Sequence, residues 1–257
     1  MSLIKTPAQI EAMKEGGRIL AAILSDLADY VKPGMTTREL SARTVELLRS
    51  HQVQPSFLDY NNYPDVICLS VNHQCVHTPG SDYVLKEGDL LKLDFGVIHK
   101  GLHTDAARTV LVTNLSRDEA REKKEYHNRR KLMQVTRECL EKAIVMCRPD
   151  GYLGDIGHVI ESHVKDNGFS IAAELGGHGI GTKLHEEPWV ANTGKPQSGM
   201  KLEAGMVLAI EPIINMGRGA IKDGDDGFTY ETADGSLSAH FEHTVVITEG
   251  GPVILTA

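Results

Sequence analysis

Two aspartates interrupt apolar runs in which a charge has no ordinary place. Leu90–Val112 reads LLKLDFGVIHKGLHTDAARTVLV, two apolar strands with a turn near His99–Lys100–Gly101. One arm carries Asp94 and the other Asp105. Residues equidistant from a hairpin turn face the same side. With the turn centred between residues 99 and 100, the two carboxylates stand side by side on one face. Two unpaired anions on a buried face repel each other and lose hydration, so a cation must lie between them, and a divalent metal is the simplest. The alternative is a different register that leaves both aspartates on the surface.

Glu211, in MVLAIEPIIN, and Glu242, in FEHTVVIT, repeat the pattern, since a glutamate inside such a run is rarely buried without a partner. Lys92 and Arg108, on the hairpin arms, are the cations that could form an ion-pair core instead. Two cations do not neutralise four anions. Histidine supplies a further donor type. His178 stands in GGHGIG, His185 in LHEEP and His77 in CVHTPG. The glycines around His178 allow close approach of backbone or ligand and permit unusual dihedrals. Oxygen donors outnumber nitrogens, which suits a pair of Mn, Fe(II), Co or Zn ions better than a structural zinc. Bridging carboxylates hold such pairs roughly 3.5–4 Å apart in hydrolytic sites.

The elements that must position these groups carry clear punctuation. Thr6–Pro7–Ala8–Gln9 is a capping box with proline at the first helical position, predicting a helix to about Tyr30 that ends at Lys32–Pro33–Gly34. Thr36 with Glu39 opens a second helix, to about His51. Gln52–Gly80 reads as loop, strand (Val66–Val71) and loop. Ser116 with Glu119 opens a third helix to about Met146, broken by Arg148–Pro149, and a fourth runs to about Asp166. Gly217–Ser238 reads as a long hairpin connection. Each half has a long helix, a Lys/Arg–Pro break, a shorter helix and strands, a weak internal duplication if not chance. Glu122–Lys131 is a charge cluster, read as a solvated helix face or a dock for an RNA-rich partner.

The ordered set Asp94, Asp105, GGHGIG, IEP and FEHT resembles the dinuclear metallopeptidases of the pita-bread fold, and among them the type I methionine aminopeptidases. The resemblance covers nearly the whole chain. It implies an α+β fold with two pseudo-symmetric halves, about 1–115 and 116–257, around a curved antiparallel sheet in a single peptidase domain. It also implies that Asp94 chelates one ion, that Asp105 and Glu242 bridge both, and that His178 and Glu211 complete the other. Glu211 resembles the proton shuttle, His185 the hydrogen-bond donor to the scissile carbonyl, and His77 a contact to the scissile amide or the next residue. Tyr60, Tyr63, Cys68 and Phe228 resemble the wall of the methionine pocket. Members often carry histidine where Asn61 stands and tryptophan where Phe228 stands, so the pocket departs while the metal positions do not. The segment Asp118–His127 is longer than usual. No prolidase-type N-terminal domain precedes the peptidase pattern, which argues against an X-Pro aminopeptidase. All five metal positions are filled, which argues against a catalytically dead binding protein.

Composition sets outer bounds. The 257 residues are 41% hydrophobic and 24% charged, enough for a sizeable core, and the net charge of −8 disfavours general nucleic-acid binding. Cys68, Cys75, Cys139 and Cys147 show no zinc-ribbon spacing and read as free thiols. No signal peptide is visible, and the apolar run Ile19–Leu24 is far too short to span a bilayer. The expected setting is the cytoplasm, as a monomer, acting on N-termini of nascent proteins with transient ribosome contact.

Overall fold

The computed structural model describes residues 3–257. Helix α1 (Pro7–Tyr30) begins at the Thr6–Gln9 capping box, and α2 (Thr37–Ser50) at the Thr36–Glu39 box. The buried face of α1, Met13, Gly16, Leu20, Ile23, Leu24 and Leu27, repeats every three to four residues and lies on the strands Leu90–His99 and Leu102–Leu111. In the second half α4 (His127–Met146) packs on α5 (Leu153–Asp166).

The predicted third helix is divided. A short α3 (Arg117–Glu122) starts at the Ser116–Glu119 box, and the backbone turns extended at Lys123 before α4 begins. Tyr126 causes the break. Its ring is buried against Gly88, and its hydroxyl donates to Glu87 Oε1 at 2.6 Å, which pins this segment to the base of the aspartate hairpin. The Arg130 guanidinium donates to the carbonyls of Ala120 and Lys123 and so satisfies the end of α3. The segment Asp118–His127 is thus a buckle between helix and sheet.

The main sheet runs across both halves and is antiparallel throughout its pairings. Starting in the first half, Leu90–His99 pairs with Leu102–Leu111, which pairs with Glu242–Thr248. That strand pairs with Val207–Ile210, then Gly176–Gly179, then Glu186–Ala191. Cys68–Val71 lies on the other side of Leu90–His99. The expected strand Met206–Asn215 is two strands, Val207–Ile210 and Ile213–Asn215, because Pro212 cannot donate to a ladder. The connection Gly217–Ser238 is more structured than a plain hairpin loop, with Ile221–Asp223 pairing Tyr230–Thr232 and that strand pairing Gln74–Val76. No helix of the described residues is long and apolar enough to cross a membrane.

Candidate active site

Hairpin register decides where the aspartates meet. The turn is centred between Lys100 and Gly101, since Leu90 pairs with Leu111 and His99 with Leu102. Asp94 therefore faces Ala107, and Asp105 faces Gly96. The carboxylates are diagonal neighbours and not side by side as expected. They still share a face, because the register differs from expectation by two residues and side chains alternate with period two. The surface alternative fails, with Asp94 6% and Asp105 3% exposed.

Pairing then brings the second half to the same face. Glu242 is also opposite Ala107, so Asp94, Ala107 and Glu242 form one row across three strands. The next row is Thr244, Ala209 and His178. Ala107 and Ala209 are buried and small, which leaves the space above them to the longer acidic and imidazole side chains. Thr244 fastens the two halves. Its hydroxyl donates to the Asp105 carbonyl at 2.8 Å and accepts from the Asp105 N–H at 2.9 Å. One donor atom each from Asp105, His178 and Glu242 lies within 4.8 Å of the others. Glu211, just past the strand Val207–Ile210, reaches 3.7 Å from His178 Nε2. Asp94 joins through charge, for it raises the pKa of both Glu211 and Glu242.

The glycines about His178 serve backbone contact. A Cβ on Gly177 would lie 2.1 Å from the Ala209 carbonyl oxygen, and one on Gly179 would lie 2.1 Å from that of Glu187. Neither glycine has a positive φ, so unusual dihedrals are not the reason for them. His178 Nδ1 lies 2.8 Å from the Gly179 carbonyl, which can only accept, so Nδ1 carries the proton. Nε2 is left with a bare lone pair facing the acids.

Electrostatics at this point are unfavourable without a cation. Burial first, then neighbouring carboxylates, push Asp94, Glu211 and Glu242 well above the usual range. Burial pushes Asp105 up to about 7. Asp105 Oδ1 and Glu242 Oε1 are buried without a hydrogen-bond partner. Lys92 does not relieve them. Its ammonium is fully buried but donates to the carbonyls of Asn72 (2.8 Å) and Ser238 (3.2 Å), and Arg108 is exposed. The ion-pair core is thereby excluded. Orphaned oxygens beside a bare imidazole nitrogen are a donor set fit for divalent metal.

The remaining predicted residues flank this cluster. His185 packs edge-on to His178 with ring centroids 4.2 Å apart, and its Nδ1 is 2.8 Å from the Tyr60 hydroxyl. His77 opens to the same cleft at φ +62°, a strained position for a histidine, with its ring 5.7 Å from that of Tyr230. The surrounding protein, and secondly His185, lower its pKa to about 4. Tyr63 meets Phe228 edge to face at 5.6 Å, and its hydroxyl donates to the Ile67 carbonyl. Cys68 lies directly across from Asp94 in the neighbouring strand. Asn61 has φ +51° and ψ +37°, a left-handed conformation that asparagine adopts more readily than most residues.

One group at the site escaped the sequence. His240 is 1% exposed, with Nε2 3.4 Å from Glu211 Oε2, and neither ring nitrogen has a hydrogen-bond partner. Burial lowers its pKa to about 3. Its position two residues before Glu242, in SAHFEHT, was the available signal.

The profile of metallopeptidase family M24 matches residues 11–249. Methionine aminopeptidase of Clostridium perfringens is 44% identical over 256 residues, covering 100% of this chain and 99% of that protein. Methionine aminopeptidase 1 of Bacillus subtilis is 40% identical over the same coverage. The crystal structure of methionine aminopeptidase from Thermotoga maritima superposes with TM-score 0.92 at 40% identity, over 98% of each chain.

The raised carboxyl pKa values predict how the metal-free protein responds to pH. From about one unit above the ordinary histidine value of 6.5 the buried imidazoles are neutral in both folded and unfolded states. The folded carboxyls still hold protons that the unfolded chain has released, so stability falls as pH rises. Lys92, lowered to about 7, opposes this by one proton against several carboxyls. Melting temperature in excess chelator should therefore drop between about pH 7.5 and about pH 8.5, whereas saturating Mn should flatten or reverse the slope, because ions bind the deprotonated ligands. Parallel slopes in the two series would refute the cluster as a metal centre.

Proposed function

The chain belongs to metallopeptidase family M24, and we propose that its buried carboxylate–imidazole cluster is the centre at which the methionyl peptide bond is opened. Metal-dependent removal of N-terminal methionine is its activity. The observation that carries the assignment is the pair of partnerless buried oxygens, on Asp105 and Glu242, beside the bare His178 Nε2. Asp94, Asp105, His178, Glu211 and Glu242 would hold two divalent ions, of Mn, Fe(II), Co or Zn. Bound ions supply Lewis acidity, which lowers the pKa of water and polarises a carbonyl.

The chain's own groups handle the proton and the substrate. Glu211 has a raised pKa and lines the cleft, so it can take a proton from the attacking water and pass it to the leaving amine. A Tyr60 hydroxyl donating to His185 Nδ1 keeps the proton on Nε2, where it can hydrogen-bond the developing oxyanion. His77 is held neutral and can contact the scissile amide or the second residue. Tyr63 and Cys68 are buried in the first-half core, Tyr60 and Phe228 pack against that core, and Cys68 pairs with Asp94. Aromatic edges and a thiol suit a thioether, which supports this cluster as the methionine pocket. The centre draws Asp94 and Asp105 from the first half and the other three ligands from the second. That division supports one peptidase domain. Cytoplasmic monomers acting on nascent chains, with transient ribosome contact, complete the reading.

Three experiments test it. Asp105→Asn should lower turnover by at least the ~10²-fold seen when partners of metal ligands are lost, and should reduce bound metal while the fold persists. Near-normal activity with two bound metals would sink the ligand assignment. His185→Ala should cost about 10² to 10³ in rate with metal content unchanged. Lost metal would make His185 a ligand instead. A matrix of tripeptides should show Met-Ala-Ser cleaved well and Met-Lys-Ser poorly, since a misplacement of about 1 Å can cost about 10². Some norleucine release is also expected, because Phe228 leaves more room than tryptophan. Equal cleavage of both methionyl peptides, or preference for Ala-Pro, would overturn the specificity.

A further inference from the structure

The cleft of about 790 Å³ that contains His178, His185, His77 and Glu211 continues past them to Trp189, Glu174 and Glu187. Trp189 is the only tryptophan of the chain and is 51% exposed. It pairs directly with His178 across two antiparallel strands, so both side chains leave the same face of the sheet. The row Thr244, Ala209, His178 thus ends in Trp189. The indole lies over Gly176, where an added Cβ would stand 3.0 Å from Cζ2 and 3.5 Å from Cη2. A half-exposed aromatic plate therefore adjoins the catalytic cluster, seated on a glycine that leaves it room.

We infer that Trp189, with Glu174 and Glu187, is a downstream subsite for the third residue of the substrate, and that it favours arginine or lysine there. This rests on the peptidase reading above. Gly176 is two residues from His178, roughly 6.6 Å along a strand. A substrate extended that far beyond the scissile bond brings its third residue over the indole. The exposed carboxylates of Glu174 and Glu187 line the same stretch, Glu186 is paired with Lys5, and Lys183 is the cationic chain among the lining residues. An aromatic face next to surplus negative charge attracts a cation.

The test uses manganese-loaded enzyme on Met-Ala amide, Met-Ala-Ser and Met-Ala-Arg. Wild type should favour Met-Ala-Arg over Met-Ala-Ser by about fivefold in kcat/KM, carried by KM. Trp189→Ala should erase that preference and leave Met-Ala amide unchanged, and Trp189→Phe should restore part of it. Glu174→Gln with Glu187→Gln, both on exposed side chains, should also reduce it without touching the indole. A second readout is independent of turnover. Met-Ala-Arg titrated into chelator-treated protein should change the fluorescence of the lone tryptophan more than Met-Ala amide does. No arginine preference, an equal loss on all three peptides in Trp189→Ala, or no fluorescence difference would each overturn the subsite. Wild type releasing methionine from none of them would overturn the peptidase reading instead, with the fluorescence titration still deciding the subsite.

Discussion

Mutual repulsion among four clustered carboxylates, three of them buried, is the constraint on which the rest of this structure depends. Asp94, Asp105, Glu211 and Glu242 converge on one sheet face where solvent is largely excluded. Left alone, such groups hold protons well above the usual range, chiefly because they are buried, and Asp105 raises the other three further. Protein cations do not relieve the strain, since the nearest candidate, Lys92, is committed to two backbone carbonyls. The fold therefore stores a standing affinity for external positive charge. Divalent metal meets it, and binding energy and folding energy become coupled.

Holding four anions together requires a scaffold that does not yield, and the sheet supplies one. Ladder hydrogen bonds run unbroken from the aspartate hairpin through Glu242–Thr248 to the His178 strand. Alanine at 107 and 209, and glycine at 177 and 179, keep the strands close and the floor low. Thr244 stitches the Asp105 strand to the Glu242 strand at the seam between halves. Packed helices lie along both halves, α1 on the aspartate hairpin and α4 with α5 in the second half.

Around the acids the imidazoles are kept neutral. Burial lowers His178 to about 3, and the cleft walls lower His77 to about 4. A neutral ring can offer a lone pair to metal or an N–H to substrate, and a hydrogen bond on the other nitrogen selects which. The Gly179 carbonyl makes that selection for His178, and Tyr60 is placed to make it for His185. Sheet-edge residues beyond them, Trp189 above all, extend the same face outward along the path of the peptide.

Much of this was legible in the chain itself. Capping boxes at Thr6, Thr36 and Ser116 start helices where local hydrogen bonds dictate. Charges inside apolar runs marked the acidic set, because burying them without a partner is costly wherever they meet. Even the shared face of Asp94 and Asp105 followed from alternation, which survives a register shift of two. Other features belong to the tertiary structure alone. The row from Asp94 through Ala107 to Glu242, the break at Lys123 and the approach of His240 to Glu211 each join residues distant in the chain or depend on such a contact. So does the placing of Trp189 beside His178, which reads in sequence as an ordinary strand position. Local propensity acts over a few residues, whereas strand order and register arise from long-range pairing, and only that pairing decides which side chains share a site.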